Sequence, residues 1–567
     1  MPDAKTKRRA LSARAFWLCL ALLVCLRCAL TAFQQAYTWV GGAPLDDELM
    51  FRAANAVTAG EWLGPYDYLT LSKAMFFPLW LALLNALHLP YLIAGAGLWC
   101  AACLAAALAA APLWRGREPG RGRVCTLGLF ALLAFLPSSW AAYTLRVYRD
   151  NIFPALCLLF FAGMAGAALR AALYPAGKTR LWPWLLAAGA GLACACLDRE
   201  GAGLCLLPFG AAATLILLVV LARARRWRAC AAQLIPYGVL AAAVLAFCGM
   251  NQSRYGVFAL SDFSEGPFAA AIGAMMRVDT GNDDPLLSVP ADARQKLYAA
   301  VPELEPLAYW LEEDPQMRND FQDPERQDYR AGSFYWAIRR AAQYEGVYDS
   351  ARTAADYWQG VADAVNAACD DGTLPSRTGK RAATSQPVKL SYVAPTLAET
   401  ARSVVHVLAF ADCAPYETAR SIGTGEDIAQ WSAYLHCGLN SAAEAGKDTP
   451  YYSPYQKLVF GFMEAVAWVY RALLWLGLLA GLACHFAALP AVLRRRTAGA
   501  VVPWLLLLGL LGMALLRCAM IAFVEVSSFG IGTSTMYLAT VHPLFLLYAF
   551  LSLAAYGRSI RRKESGQ

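Results

Sequence analysis

Residues 71–90 read LSKAMFFPLWLALLNALHLP. An apolar stretch of this length sits at the threshold for crossing a bilayer, which takes about 20 residues. It also carries Lys73, Pro78, Asn85 and His88. Counted as a span, it would send RGREPGRGR (115–123) to the outer side and invert every later loop. Lysine and arginine gather on the inner side of membrane proteins. Residues 76–89 therefore read as a helix lying in the outer interface, and 34–90 as one external loop with two surface helices.

The rest of the topology follows. The chain has 567 residues, 58% of them hydrophobic and 16% charged, against roughly half and a quarter for soluble proteins. Ten spans are expected, at about 14–33, 91–114, 124–145, 151–172, 181–198, 201–222, 230–250, 456–486, 500–524 and 536–556. The first is read as a retained span behind Lys5, Lys7, Arg8 and Arg9, with both termini cytoplasmic. Each inner end is then basic: 115–123, Lys178 with Arg180, 223–228, 494–496 and 558–563. The fold class is mainly α, a polytopic membrane protein. Residues 1–250 form an N-terminal membrane module, 251–455 a mostly helical extracytoplasmic domain and 456–567 a C-terminal membrane region.

Charge divides along the same lines. The 251–455 insert holds 28 acidic and 17 basic residues, and the remainder 13 acidic and 32 basic. An acidic external domain over a basic inner rim fits a bilayer and excludes nucleic acid as a partner. Fourteen of the seventeen cysteines lie in apolar runs, where cysteine packs as a small hydrophobe. Of the three in the insert, Cys413 and Cys437 are the expected disulfide pair.

Two features break the pattern of an ordinary membrane protein. Asp46, Asp47 and Glu48 stand together just after the first span. Read structurally, Asp46 caps a helix that follows Pro44 and stops at Gly60, with Asp47 and Glu48 in its first turn. The alternative is chemistry at the membrane surface. The second feature is a layer of cations. RVYRDN (146–151) and DRE (198–200) are tight outer turns that put Arg146, Arg149 and Arg199 at headgroup level. Arg27 and Arg517 lie inside spans, about 9 and 12 Å below their outer ends at roughly 1.5 Å per residue. Lys73 joins the same layer. Such cations snorkel or pair locally, or they share an anionic partner such as a lipid phosphate. His542, beside Pro543 in the last span, is either a packed residue or shares a cavity with Tyr537.

Together these residues resemble the GT-C glycosyltransferases, in particular bacterial enzymes of the protein O-mannosyltransferase and lipid A aminoarabinose transferase type. The resemblance rests on LDDELMFRAANAVTAGEWLGPY (45–66), SKAMFFPLW (72–80), LDREGAGLCLLP (197–208) and MYLATVHPLF (536–545). Many relatives carry Asp-Glu where this chain has Asp-Asp-Glu, so the catalytic acid is Asp46 or Asp47. The insert matches none of the family's motifs. The resemblance implies an inverting transfer from a polyprenyl-phosphate-linked sugar to a glycan, lipid or protein acceptor on the outer face of the plasma membrane. An aspartate takes the acceptor's proton. Lys73, Arg52, Arg146, Arg149 and Arg199 would hold the donor phosphate. Glu48, Glu200, Arg517, Tyr537 and His542 would line the cavity. Adjacent carboxylates also admit a divalent cation, Mg or Mn. A transporter or flippase for a lipid-linked or anionic substrate would use the same cation layer, but such proteins often show internal repeats, and none is visible here.

Overall fold

The computed structural model describes residues 11–114, 119–174, 179–282, 284–376, 379–381, 383–385 and 388–564. The basic residues at 115–118, Lys178 and the side chains of 558–563 lie outside the described residues.

The protein is an α-helical membrane protein. Among the described residues, seven helices are long and apolar enough to cross a bilayer: Ala13–Ala32, Tyr91–Trp114, Arg149–Leu173, Ala202–Arg223, Trp227–Tyr255, Pro454–Arg495 and Ala498–Phe529. An eighth expected span is a broken pair, Gly120–Ala134 and Pro137–Thr144, bent by 55°. The other two expected spans, Trp182–Asp198 and Val541–Gly557, are apolar but shorter. Length and composition thus single out seven of the ten. The stretch at 71–90 yields only the eleven-residue helix Phe76–Ala86, too short to cross, which His88 closes with a left-handed φ of 54°. Among the described residues no strand forms, only isolated bridges.

Arg27 explains how the broken pair is tolerated. Pro137 ends the ladder there and frees carbonyls in an apolar setting, where an unmet group is costly. Arg27 Nε donates to Ala134 O (3.1 Å) and Nη2 to Ser139 O (2.8 Å). Arg27 is 2% exposed, so this member of the cation layer serves the backbone.

Glycines let neighbouring spans approach. A Cβ on Gly163 would sit 2.4 Å from Ala188 N, and one on Gly191 would sit 2.6 Å from Phe160 N. Helices Phe153–Leu173 and Trp182–Asp198 therefore meet backbone to backbone, as small residues allow inside membranes.

The insert divides between two cores. Residues from Phe268 to Leu374 build one of their own, around Trp358, Tyr348 and Phe334. Val407, Leu408, Phe410, Trp431 and Leu435 instead join the core of the membrane helices. Arg339, fully buried, staples the first body to the first loop by donating to Tyr68 O (2.6 and 3.0 Å) and Asp262 Oδ1 (2.8 Å). All seventeen cysteines are free thiols, so the Cys413–Cys437 disulfide does not form. Cys413 packs against Tyr143, while Cys437 lies at the backbone of Tyr91 and Leu92, so the two serve different contacts.

Candidate functional site

The chain enters the site through residues 36–39, which run beside two other segments. Tyr37 pairs with Arg146 and Trp39 with Ile422. Pro44–Glu48 then forms one wide helical turn ahead of Leu49–Thr58. That helix buries Leu49, Ala53 and Ala56, and Gly60 turns away from its end with φ 80°. Neither Asp46 nor Asp47 caps it, against the structural reading of the sequence. Both carboxylates point to other parts of the chain.

Asp47 is completely buried. Its Oδ1 accepts Arg146 Nε at 2.8 Å and meets Nη2 at 2.5 Å. Its Oδ2 accepts Trp39 N (3.0 Å) and the Thr38 hydroxyl (3.3 Å). Arg146 Cζ in turn lies over the Trp39 ring, 4.5 Å from its centroid. Burial works against the charge on Arg146, but the Asp47 carboxylate holds its pKa above the usual guanidinium range. Asp47 and Arg146 are thus a closed unit with no free lone pair directed outward.

Asp46 differs. Its side chain is 37% exposed. Oδ1 is held by Lys73 Nζ and accepts the Tyr148 hydroxyl at 2.8 Å. Oδ2 has only Arg146 Nη2 nearby, at 3.7 Å. Burial pushes the Asp46 carboxyl up, but Lys73, Arg146 and Tyr148 outweigh it and hold it well below the usual carboxylate range. Burial lowers the Lys73 ammonium, Arg149 lowers it further, and Asp46 only partly restores it.

Tyr148 links this pair to the next cations. Its hydroxyl accepts Lys73 Nζ (3.2 Å) and Arg149 Nη2 (2.8 Å). Arg149 Nη1 donates to Glu200 Oε1 (3.2 Å) and to Asp198 O (2.9 Å). Burial opposes the Glu200 charge, yet Arg149 and the Ala74 N–H (2.7 Å) bring its pKa below the ordinary value. Arg199 pairs with Asp150, which is buried. A cavity of about 170 Å³ adjoins, lined by Arg199, Glu200, Glu399, Arg517 and Tyr537 among others. Arg517 Nε donates to Tyr537 O at 3.0 Å and has no carboxylate partner among the described residues.

Nine of the twelve expected site residues thus converge, Arg517 and Tyr537 through the cavity they share with Arg199 and Glu200, and three stand apart. Arg52, half exposed, pairs with Asp67 at 2.8 Å. Glu48 joins none of the ion pairs described. His542 is buried against Phe410, 5.0 Å between ring centroids, and does not line the Tyr537 cavity. Sequence reasoning missed Tyr148 as the hub, although it lies inside RVYRDN. It also missed Trp336 of the insert, whose ring faces Lys73 Nζ at 5.4 Å, and Glu399, which has no local motif.

Each of the two aspartates already has a cation against it, and among the described residues no three His, Cys, Asp or Glu gather to hold a metal.

No protein-family model matches this chain. No curated protein matches it either. Among solved structures, the chain is similar to ArnT from Cupriavidus metallidurans in the apo state, at 12% identity over 96% of this chain and 78% of that one, with a TM-score of 0.30. It is similar also to the same protein bound to undecaprenyl phosphate, at 13% identity over 97% and 79%, with a TM-score of 0.23.

Proposed function

We propose that this chain is an integral membrane glycosyltransferase of the GT-C type, which moves a sugar from a polyprenyl-phosphate-linked donor to a glycan, lipid or protein acceptor. The observation that carries the reading is the asymmetry of Asp46. One of its oxygens is fixed by Lys73 and Tyr148, while the other has Arg146 Nη2 no nearer than 3.7 Å, on a side chain that is 37% exposed beside several cations.

The roles follow from that geometry. The acceptor hydroxyl oxygen attacks the anomeric carbon while its proton passes to Asp46 Oδ2. The bond from that carbon to the phosphate oxygen breaks, and the configuration inverts. Charge developing on the leaving phosphate is taken up by Lys73 and Arg149, with Arg199 behind them. Preorganised cations in a partly dry site stabilise such charge far better than water does. The carboxylate stays ionised because its neighbours favour the charged form. Arg146 acts through Asp47 by holding the turn. Arg52 is left out because it faces Asp67. The exposed basic residues Arg223, Arg225 and Arg228 and those at 494–496 support a cytoplasmic inner face of the plasma membrane, with Asp46 on the outer one.

The test is turnover. The purified chain in vesicles, supplied with a mixture of glycan, lipid and peptide hydroxyl acceptors, should release polyprenyl phosphate from one member of a panel of polyprenyl-phosphate sugars, with inverted configuration in the product. Asp46→Asn should abolish that release without loss of folding. No release from any panel member, or full release by the variant, would overturn the reading.

A further inference from the structure

The insert, expected to lie wholly outside the membrane, contains one helix whose surroundings are those of a span. Val393–Leu408 packs along Ala498–Val524 and touches Pro454–Ala487 and the last span. Its inner face is Tyr392, Glu399, Ser403 and Val407, all buried. Tyr392 meets Phe523, with 6.3 Å between ring centroids. The opposite face is a stripe of apolar side chains at helical spacing. Leu390 is 89% exposed and Leu397 65%, with Val393 and Val405 about half exposed. Ala394 and Ala401 fill the gaps between them.

The depth of this helix is fixed by its end. Ala409 O accepts Arg471 Nε at 2.7 Å. Gln456 Nε2, on the same long helix as Arg471, donates to Phe33 O (3.0 Å), at the end of the first span nearest the Asp46 loop. Arg471 lies about 22 Å further along that helix, at roughly 1.5 Å per residue. Tyr470 beside it donates to Leu132 O (2.7 Å) inside the broken span. The C-terminal end of Val393–Leu408 therefore sits among the spans rather than above them, and Phe410 packs between Tyr470 and His542.

We infer that residues 390–408 are embedded in the bilayer, with Leu390, Val393, Leu397 and Val405 against lipid acyl chains. A helix satisfies its own backbone and can enter hydrocarbon. The stripe would be costly in water, which expels apolar surface. The one charged side chain flanking its middle, Arg402, is bound to Glu399 and long enough to reach toward headgroups. The buried face brings Glu399 and Ser403 to the cavity of Arg199 and Arg517. This helix is thus the wall that separates that cavity from the lipid. Nothing in this inference depends on the reaction proposed above.

The experiment places a diazirine-bearing residue at position 397 or 405 of the otherwise native full-length chain, in vesicles of dioleoylphosphatidylcholine. Position 363, exposed on the insert helix Ala351–Asp370, is the comparison. After illumination, mass spectrometry should find lipid adducts dominant at 397 and 405, and water addition dominant at 363. Water addition at 397 or 405 to the extent seen at 363 overturns the inference. So do cross-links into a second copy or another protein in place of lipid adducts.

Discussion

Asp47 meets the Arg146 guanidinium with a single oxygen, at 2.8 Å from Nε and 2.5 Å from Nη2, and spends the other on the Trp39 backbone. The pair is sealed: Asp47 is not exposed at all and Arg146 hardly so. Its neighbour Asp46 shares the same turn, yet its side chain is 37% exposed. Two adjacent residues of one type thus hold different positions, and their substitutions separate.

Asp47→Asn is expected to damage the fold. It leaves the buried Arg146 with only the more distant Asp46, at 3.7 Å, as counter-charge, and breaking a buried pair costs about 3–5 kcal/mol. Asp46→Asn removes a carboxylate that is 37% exposed, and the amide oxygen can still accept from Lys73 and Tyr148, so it should cost less. Thermal unfolding of both variants in the same detergent measures this. Equal stability of the two would show that the buried pair is not what anchors the turn.

Lys73→Ala and Arg149→Ala are expected to weaken polyprenyl phosphate binding while leaving the fold intact. Loss of one charge-assisted bond costs roughly 1.5–3 kcal/mol, or about 10- to 150-fold in affinity. Arg52→Ala, which removes a cation engaged with Asp67, should leave affinity near the parent value. A titration with polyprenyl phosphate in nanodiscs compares the three. Unchanged binding in the first two variants would place the phosphate elsewhere.

These contrasts mark where the sequence stopped being readable. The apolar stretches announce themselves by length, and the rejection of 71–90 rests on local polar residues. Its eleven-residue helix follows from them. The acids were visible as a cluster, but their division of labour was not. It depends on Arg146, 99 residues from Asp47, and on Lys73, 27 from Asp46. Local propensity favoured a cap at Asp46, and tertiary partners overrode it. Arg27 belonged to the cation layer by depth alone. Only the kink at Pro137, in a different span, reveals that it binds carbonyls. Trp336 carries no pattern, since its role comes from how the insert folds back over Lys73.

The pH dependence has a definite sign. Burial lowers the Lys73 pKa, so its positive charge is lost at lower pH than an ordinary lysine, near 10.4. Affinity for polyprenyl phosphate should therefore fall as pH rises, beginning below that value. The Asp46 pKa is lowered too, by Lys73, Arg146 and Tyr148 against the effect of burial, so Asp46 remains ionised as pH falls through the usual carboxylate range. Lys73→Arg should abolish the alkaline fall, because guanidinium keeps its proton to above about pH 12. Binding measured from pH 7 to 10 decides it: an unchanged profile in the arginine variant would assign the titration to another group.

The close helix pair offers the sharpest test of packing. At Gly163 an added methyl would lie 2.4 Å from Ala188 N and 2.5 Å from Trp184 O. Both are backbone atoms, so no side chain can swing aside, and the helices must separate. At Gly238, on the span Trp227–Tyr255, the same methyl meets nothing within 4 Å. Gly163→Ala should therefore cost about 1–3 kcal/mol, as overpacking does. Gly238→Ala should be neutral, or stabilise by about 0.4–1 kcal/mol, because the unfolded chain loses freedom. The same substitution on two apolar helices then changes sign with the neighbour alone. The separation also reaches the site. Helix Phe153–Leu173 begins just after Arg149, and Trp182–Asp198 ends just before Arg199. Prying the pair apart should pull Arg149 away from Asp198 O and Glu200, so Gly163→Ala should lose polyprenyl phosphate affinity as well as stability, and Gly238→Ala should lose neither. Parent-like melting and binding in the Gly163 variant would mean that the two helices do not meet at this distance.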